Sequence, residues 1–121
     1  MIWDSSGAAP DAKIAFFDIG DSDGALDVPG NMDTHMFPAA YDIGARISSH
    51  SWGSECASSY RDYDLQVDEY MYDNPDFLII FAAGNEGNYD YDGVTNSCDD
   101  YSISSPAHSK NGFAVGAGET G

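Results

Sequence analysis

The chain has 121 residues, with 21 acids against 4 bases and a net charge of −17. That length accommodates one domain at most. The charge argues against nucleic acid as a partner, because a phosphate binder needs a basic stripe. With no run of about 18 apolar residues, no membrane span is expected in this segment.

The acidic excess reads as a solubilising surface whose self-repulsion salt or bound cations would relieve. The N-terminus, Met1-Ile2-Trp3-Asp4-Ser5-Ser6-Gly7, lacks the basic region and apolar core of a signal peptide, so any targeting segment would lie outside this chain.

In chain order, residues 1–12 are turn-like, and Lys13-Ile14-Ala15-Phe16-Phe17-Asp18-Ile19 predicts a first strand, broken by Gly20-Asp21-Ser22-Asp23-Gly24. Pro29-Gly30 marks a turn in the loop that follows. A helix is expected over roughly Thr34 to Tyr41, with Met36, Phe37, Ala40 and Tyr41 on one face, Pro38 in the first turn and Gly44 as the stop. Arg46-Ile47-Ser48-Ser49-His50-Ser51 reads as a second, more polar strand ending at Trp52-Gly53. A second helix follows, capped by Ser59 and Asp62, with Tyr63, Val67, Tyr70 and Met71 at helical spacing, and ended by Pro75.

Phe77-Leu78-Ile79-Ile80-Phe81 is a continuous apolar run, the mark of a strand buried on both sides. It drives into Ala82-Ala83-Gly84-Asn85-Glu86-Gly87, where small residues strip away bulk and a single amide, Asn85, is presented among glycines. On turn chemistry alone Asn85 is either a turn residue or a donor to a ligand. Residues 88–105 form a polar loop without periodicity, and Gly112-Phe113-Ala114-Val115-Gly116-Ala117 is a last strand.

Strands alternating with helices predict an α/β fold, a three-layer, doubly wound and mostly parallel sheet with right-handed crossovers. Ligands on such sheets bind at the carboxyl ends of strands. Ser51-Trp52-Gly53 and Gly84-Asn85 follow consecutive strands at such ends, so the two loops are expected to face one crevice. Two helices cannot cover both faces of four strands, so the fold is expected to be incomplete within this chain.

Several shorter patterns carry less. Gly20-Asp21-Ser22-Asp23-Gly24 matches G-x-S-x-G, which would make Ser22 an esterase nucleophile, but no helix follows and two aspartates oppose an alkoxide. Gly116-Ala117-Gly118-Glu119-Thr120-Gly121 matches G-x-G-x-x-G without a helix to open. Asn88, Asp90, Asp92 and Asp99 stand at ligand positions of an EF-type loop with Gly93 at its sixth position, making calcium a candidate ligand against a plain acidic loop. His35, His50 and His108 lack metal spacing and read as ordinary surface or core histidines. Cys56 and Cys98 suit neither zinc nor a redox pair; as a disulfide they would add about 4 kcal/mol and imply an oxidising compartment, and two free thiols are equally compatible.

Four blocks together are more specific. Gly7-Ala8-Ala9-Pro10-Asp11-Ala12-Lys13-Ile14 resembles the "G-V-A-P-x-A-K-hydrophobic" segment of subtilisin-like serine peptidases. Ser48-Ser49-His50-Ser51-Trp52-Gly53-Ser54 resembles their substrate-binding strand in its "N-S-W-G" form, and Ala82-Ala83-Gly84-Asn85-Glu86-Gly87 is similar to their oxyanion-hole segment, "A-A-G-N-x-G". Ser105-Pro106-Ala107 with Lys110 to Ala117 resembles "S-P-A…K-N-v-x-a-V-G-A". The blocks occur in the family's order across nearly the whole chain.

The resemblance implies a subtilisin-like fold and a serine endopeptidase activity on peptide or protein substrates; no cofactor is expected apart from the calcium candidate of the 88–99 loop. It implies that Asn85 donates its amide to the oxyanion, that Ser51-Trp52-Gly53 pairs with the substrate backbone, and that Ala83 and Gly84 wall the pocket for the side chain preceding the scissile bond. The family's motifs for nucleophile, base and orienting acid ("G-T-S-M-A", "H-G-T-H", "D-T/S-G") are missing here, and Asp33-Thr34-His35 lies between the first and second blocks. The expectation is therefore a central fragment of a catalytic domain, inactive alone; the location of the full-length protein stays open, with the outside of the cell or the secretory pathway favoured. Two other readings stay open: a non-catalytic calcium-binding or pseudo-peptidase module, and the Ser22 esterase.

Overall fold

The computed structural model describes residues 7–54, 59–85 and 103–118. Three strands, β1 (Ile47–His50), β2 (Leu78–Ala82) and β3 (Phe113–Val115), form one sheet in the order β1-β2-β3. Both pairings are parallel, in the registers Ile47↔Leu78 to His50↔Phe81 and Ile80↔Phe113 to Ala82↔Val115. The most apolar run thus takes the central place, flanked on both sides, and sequence neighbours are spatial neighbours as the α/β pattern predicts.

Two helices accompany the sheet. A π-helical turn, Met32–Met36, runs into α1 (Phe37–Asp42), with Pro38 in the first turn of α1 and Gly44 (φ 97°) just past its end. The helix therefore begins earlier than Thr34, the expected start. Residues Met36 and Phe37 of the expected face are buried, and Ala40 and Tyr41 pack against the core. The second helix, α2, spans Asp62–Asp73 and stops before Pro75. Its expected face is the observed one: Val67 is buried, and Tyr63, Tyr70 and Met71 pack around it.

The cap of α2 differs from expectation. Arg61, not Ser59, is the N-cap residue, and Asp64 accepts a hydrogen bond from the Arg61 backbone N–H at 2.8 Å. A carboxylate three residues into a helix reaches back to an orphan donor as well as a serine reaches forward. Capping-box spacing therefore fitted two frames here, two residues apart.

The predicted strand at Lys13–Ile19 is not a strand. Residues 13–19 join no ladder, and Ile14 and Phe16 are 87% and 85% exposed. Strand composition describes a side-chain pattern, whereas a strand exists only where a neighbour takes up its backbone hydrogen bonds. Among the described residues this segment has a single antiparallel bridge, Gly20↔Leu26, just beyond its end.

The core lies between the helices and one face of the sheet: Met32, Met36, Phe37, Val67, Phe77, Ile79, Phe81 and Ala107. Phe37 meets Tyr70 and Phe77 with ring centroids 5.2 Å and 6.3 Å apart, both tilted. Each such pair adds about 0.5–1.5 kcal/mol beyond its buried area. Gln66 ties α2 to the segment before the π-turn, accepting from Met32 N–H at 2.6 Å and donating to Gly30 C=O at 2.9 Å. Asp68 does the same for the segment before β3, its Oδ1 accepting from the N–H groups of Lys110 and Asn111 at 2.8 Å and 2.7 Å.

Side chains alternate across a strand, and in parallel pairs partners share a face. His50, Ile79 and Phe81 therefore point to the core, while Ile47, Leu78, Ile80, Phe113 and Val115 share the opposite face. On that face Ile47, Phe113 and Val115 are more than half exposed. Two of the three expected layers, helices and sheet, stand among the described residues.

Candidate active site

At the carboxyl end of the sheet the backbone runs past the ladder into two loops. One is Ser51-Trp52-Gly53-Ser54 after β1, which is at the edge of the sheet among the described residues; the other is Ala83-Gly84-Asn85 after β2. They border a cleft of about 80 Å³ lined by Ser51, Trp52, Gly53, Ser54, Ala82, Gly84, Asn85 and Ser104. Five of the six sequence-predicted site residues meet there. Ala83 is not on the lining. Its N–H donates to Val115 C=O at 2.9 Å and its C=O accepts from Ser104 N–H at 3.4 Å, so it joins β3 and the 103–107 segment to the loop.

Two glycines are required by this geometry. Gly84 has φ 111°, a left-handed value that side chains resist, and it turns the chain so that Asn85 follows at the cleft. At Gly53 an added Cβ would stand 3.2 Å from Ser105 O and 3.3 Å from Ser104 Cβ. The loop thus lies flush against the 104–105 backbone, and Ser54 fastens it there, N–H and Oγ both donating to Ser105 C=O at 2.9 Å and 3.3 Å. Ser54 and Ser104 were not foreseen. Ser104 is one residue before the Ser-Pro-Ala block, but no local pattern says that it closes a cleft 51 residues from Gly53.

Trp52 is oriented from beneath by His50. The indole Nε1–H donates to His50 Nδ1 at 3.2 Å, so Nδ1 carries no proton and Nε2–H donates to Ser48 Oγ at 2.7 Å. The imidazole stacks on Phe81 at 4.5 Å, and Trp52 meets the edge of the same ring at 5.4 Å. Burial alone lowers the His50 pKa to about 4. An unfolded chain, with its histidine near 6.5, therefore binds more protons between pH 6.5 and 4. The contribution is complete above pH 6.5 and is lost as pH falls toward 4, roughly 3 kcal/mol in all. Hydrogen-exchange protection of the β2 amides in the full-length protein should fall across this window, and His50→Leu should remove that part of the dependence. An unchanged pH profile in the variant would assign the loss to other groups.

The other predicted sites fall elsewhere. Ser22 sits in an exposed hairpin-like turn held by Asp21, whose Oδ1 accepts from the N–H groups of Asp23 and Ala25 at 2.9 Å and 2.7 Å. No helix follows that turn, so the strand-to-helix elbow of a G-x-S-x-G nucleophile is not formed. Gly116 to Gly118 follow β3 as irregular chain. The calcium candidates Asn88, Asp90, Asp92 and Asp99, the cysteines Cys56 and Cys98, and residues 119–121 lie outside the described residues. Among the described residues no three His, Cys, Asp or Glu side chains group as a metal site, and no helix is long and apolar enough to cross a membrane. A wider cleft of about 730 Å³ beside α2, bordered by Asp33, Asp68, Glu69 and Asp73, contains none of the predicted site residues.

The family model of the subtilase family matches residues 2–120. The chain belongs to the subtilase family. Among curated proteins, this subtilase segment is 38% identical over 120 residues to the serine protease/ABC transporter B family protein tagD of Dictyostelium discoideum, and 32% identical over 114 residues to tagA of the same organism. A third relative, tagB, is 34% identical over 119 residues. The alignments cover 93–95% of the subtilase segment but 6% of each relative's length. No solved structure matches it. The parallel α/β sheet agrees with the fold class expected of a subtilase.

Proposed function

We propose that the full-length protein is a serine endopeptidase working by acyl transfer, and that this segment supplies its oxyanion donor and substrate strand. The observation that carries the reading is the shared cleft: Asn85 and Ser51-Trp52-Gly53 border one space at the carboxyl end of the sheet. An amide at that point can meet the charge that develops on a carbonyl oxygen under attack. The edge strand beside it offers backbone groups with which an extended peptide can pair. The nucleophile, base and orienting acid are assigned to parts of the full-length protein beyond this segment, which alone is expected to be inactive.

The test is covalent. A serine-directed organophosphate should label the full-length protein at one serine outside residues 1–121, and labelling should abolish cleavage of casein-derived peptides. A protein that neither labels nor cleaves would instead be a binding module built on a peptidase fold.

A further inference from the structure

Asp64 lies in the first turn of α2 and is fully buried, with 0% of its surface exposed. A buried carboxylate is costly unless its oxygens are bonded. Oδ2 accepts two hydrogen bonds, from Arg61 N–H at 2.8 Å and from Ser105 Oγ–H at 2.6 Å. Oδ1 is buried with no hydrogen-bond partner among the described residues. A cap alone is worth only about 1 kcal/mol. What burial adds is the short, charge-assisted bond to Ser105.

Ser105 is also where the cleft is held together. Its C=O receives both bonds from Ser54, and its backbone fills the space that a side chain on Gly53 would need. Its neighbour Ser104 lines the cleft and donates to Ala83 C=O. One serine therefore joins α2, the loop after β1 and, through Ser104, the loop after β2.

From this we infer that Asp64 is a positioning residue for substrate selection: through Ser105 it fixes the Ser104–Ser105 wall, and so limits the side chain that the cleft admits. The inference rests on the peptidase reading above. Asp64 does not border the cleft; it acts on the wall from behind.

The experiment compares kcat/KM of the full-length protein for two peptides that differ only in the residue preceding the scissile bond, alanine in one and phenylalanine in the other. Asp64→Asn, Ser105→Ala and the double variant are each measured. Both single variants should lower the alanine-to-phenylalanine preference, Ser105→Ala by roughly tenfold, the low end of what one methylene more or less is worth in a binding pocket. The double variant should equal Ser105→Ala, because Asp64→Asn keeps only a neutral amide oxygen as a weaker acceptor and acts through the bond that Ser105→Ala removes. A second peptide pair, differing four residues away from the scissile bond, should keep its wild-type ratio in every variant, which a general loss of packing would not allow. Ser105→Ala removes one oxygen and leaves the Arg61–Asp64 cap intact, so it decides the matter if Asp64→Asn does not fold. An unchanged preference in Ser105→Ala, additive effects in the double variant, or failure of Ser105→Ala to fold would each overturn the inference while leaving the peptidase reading standing. A wild-type protein that cleaves neither peptide would overturn both.

Discussion

Replacing Asn85 by alanine in the full-length protein is expected to lower kcat by about 10²–10³ with KM close to its wild-type value, a magnitude carried over from subtilisin, a member of this family, rather than calculated for this chain. The split follows from when the bond is made. A donor aimed at an oxyanion gains strength only as negative charge builds on the oxygen, so its loss falls on the transition state and spares ground-state binding. Asn85→Asp should be worse than alanine, because a carboxylate would place like charge against the oxyanion. Steady-state kinetics on one peptide substrate, with organophosphate labelling to count intact sites, separates these effects from misfolding. If Asn85 only completed the turn after Gly84, the alanine variant would lose stability and labelling together, and kcat per labelled site would not change.

The second large effect is expected at Phe81. This side chain is 1% exposed, lies in the central strand, and carries on its ring both His50 and Trp52. Phe81→Ala removes a core ring and leaves a cavity, at a cost of about 3–5 kcal/mol. That is a large fraction of the 5–15 kcal/mol that keeps a typical domain folded. The full-length variant should show earlier thermal unfolding of the domain and faster exchange of the amides of β1 and β2. Phe81→Leu, which refills most of the space, should recover more than half of the loss. Trp52 fluorescence offers a local readout: with the ring gone, the indole and the imidazole beneath it lose their shared support, and a spectrum identical to wild type would show that Trp52 is held by other contacts.

Much of this arrangement was legible in the sequence, for identifiable reasons. The apolar run at residues 77–81 reads as a buried strand, and the spacing of Tyr63, Val67, Tyr70 and Met71 as one helix face, and both stand in the structure. Parallel pairing followed from the alternation of strands and helices, and the crevice from the rule that sites lie at carboxyl ends. What the sequence did not yield is non-local. Lys13–Ile19 has the composition of a strand, but composition cannot report whether a neighbour is present to pair with it. Ala83 was expected at the pocket wall from the family resemblance, whereas it is off the cleft lining and its backbone bonds to β3 and Ser104. The frame of the α2 cap was ambiguous because Asp62 and Asp64 both lie within reach of a helix start, and the burial that singles out Asp64 depends on Ser105, 41 residues away.

The bonds that close the cleft have a consequence for the order in which the protein is built. Ser54 and Asp64 reach Ser105 across 51 and 41 residues, whereas β1 and β2 pair across about 30. Contacts of long sequence separation form late, because the chain entropy of closing them must be met before they return anything. During synthesis the sheet between β1 and β2, and the helix between them, can form while residue 105 is still inside the ribosome. The cleft cannot. A nascent subtilase domain of this kind would expose the β1–β2 pair, with β3 and the cleft still missing, for at least the time needed to make the next 20 or so residues, about 1–4 s at ordinary translation rates. Closure of the cleft is thus among the last steps in building this segment.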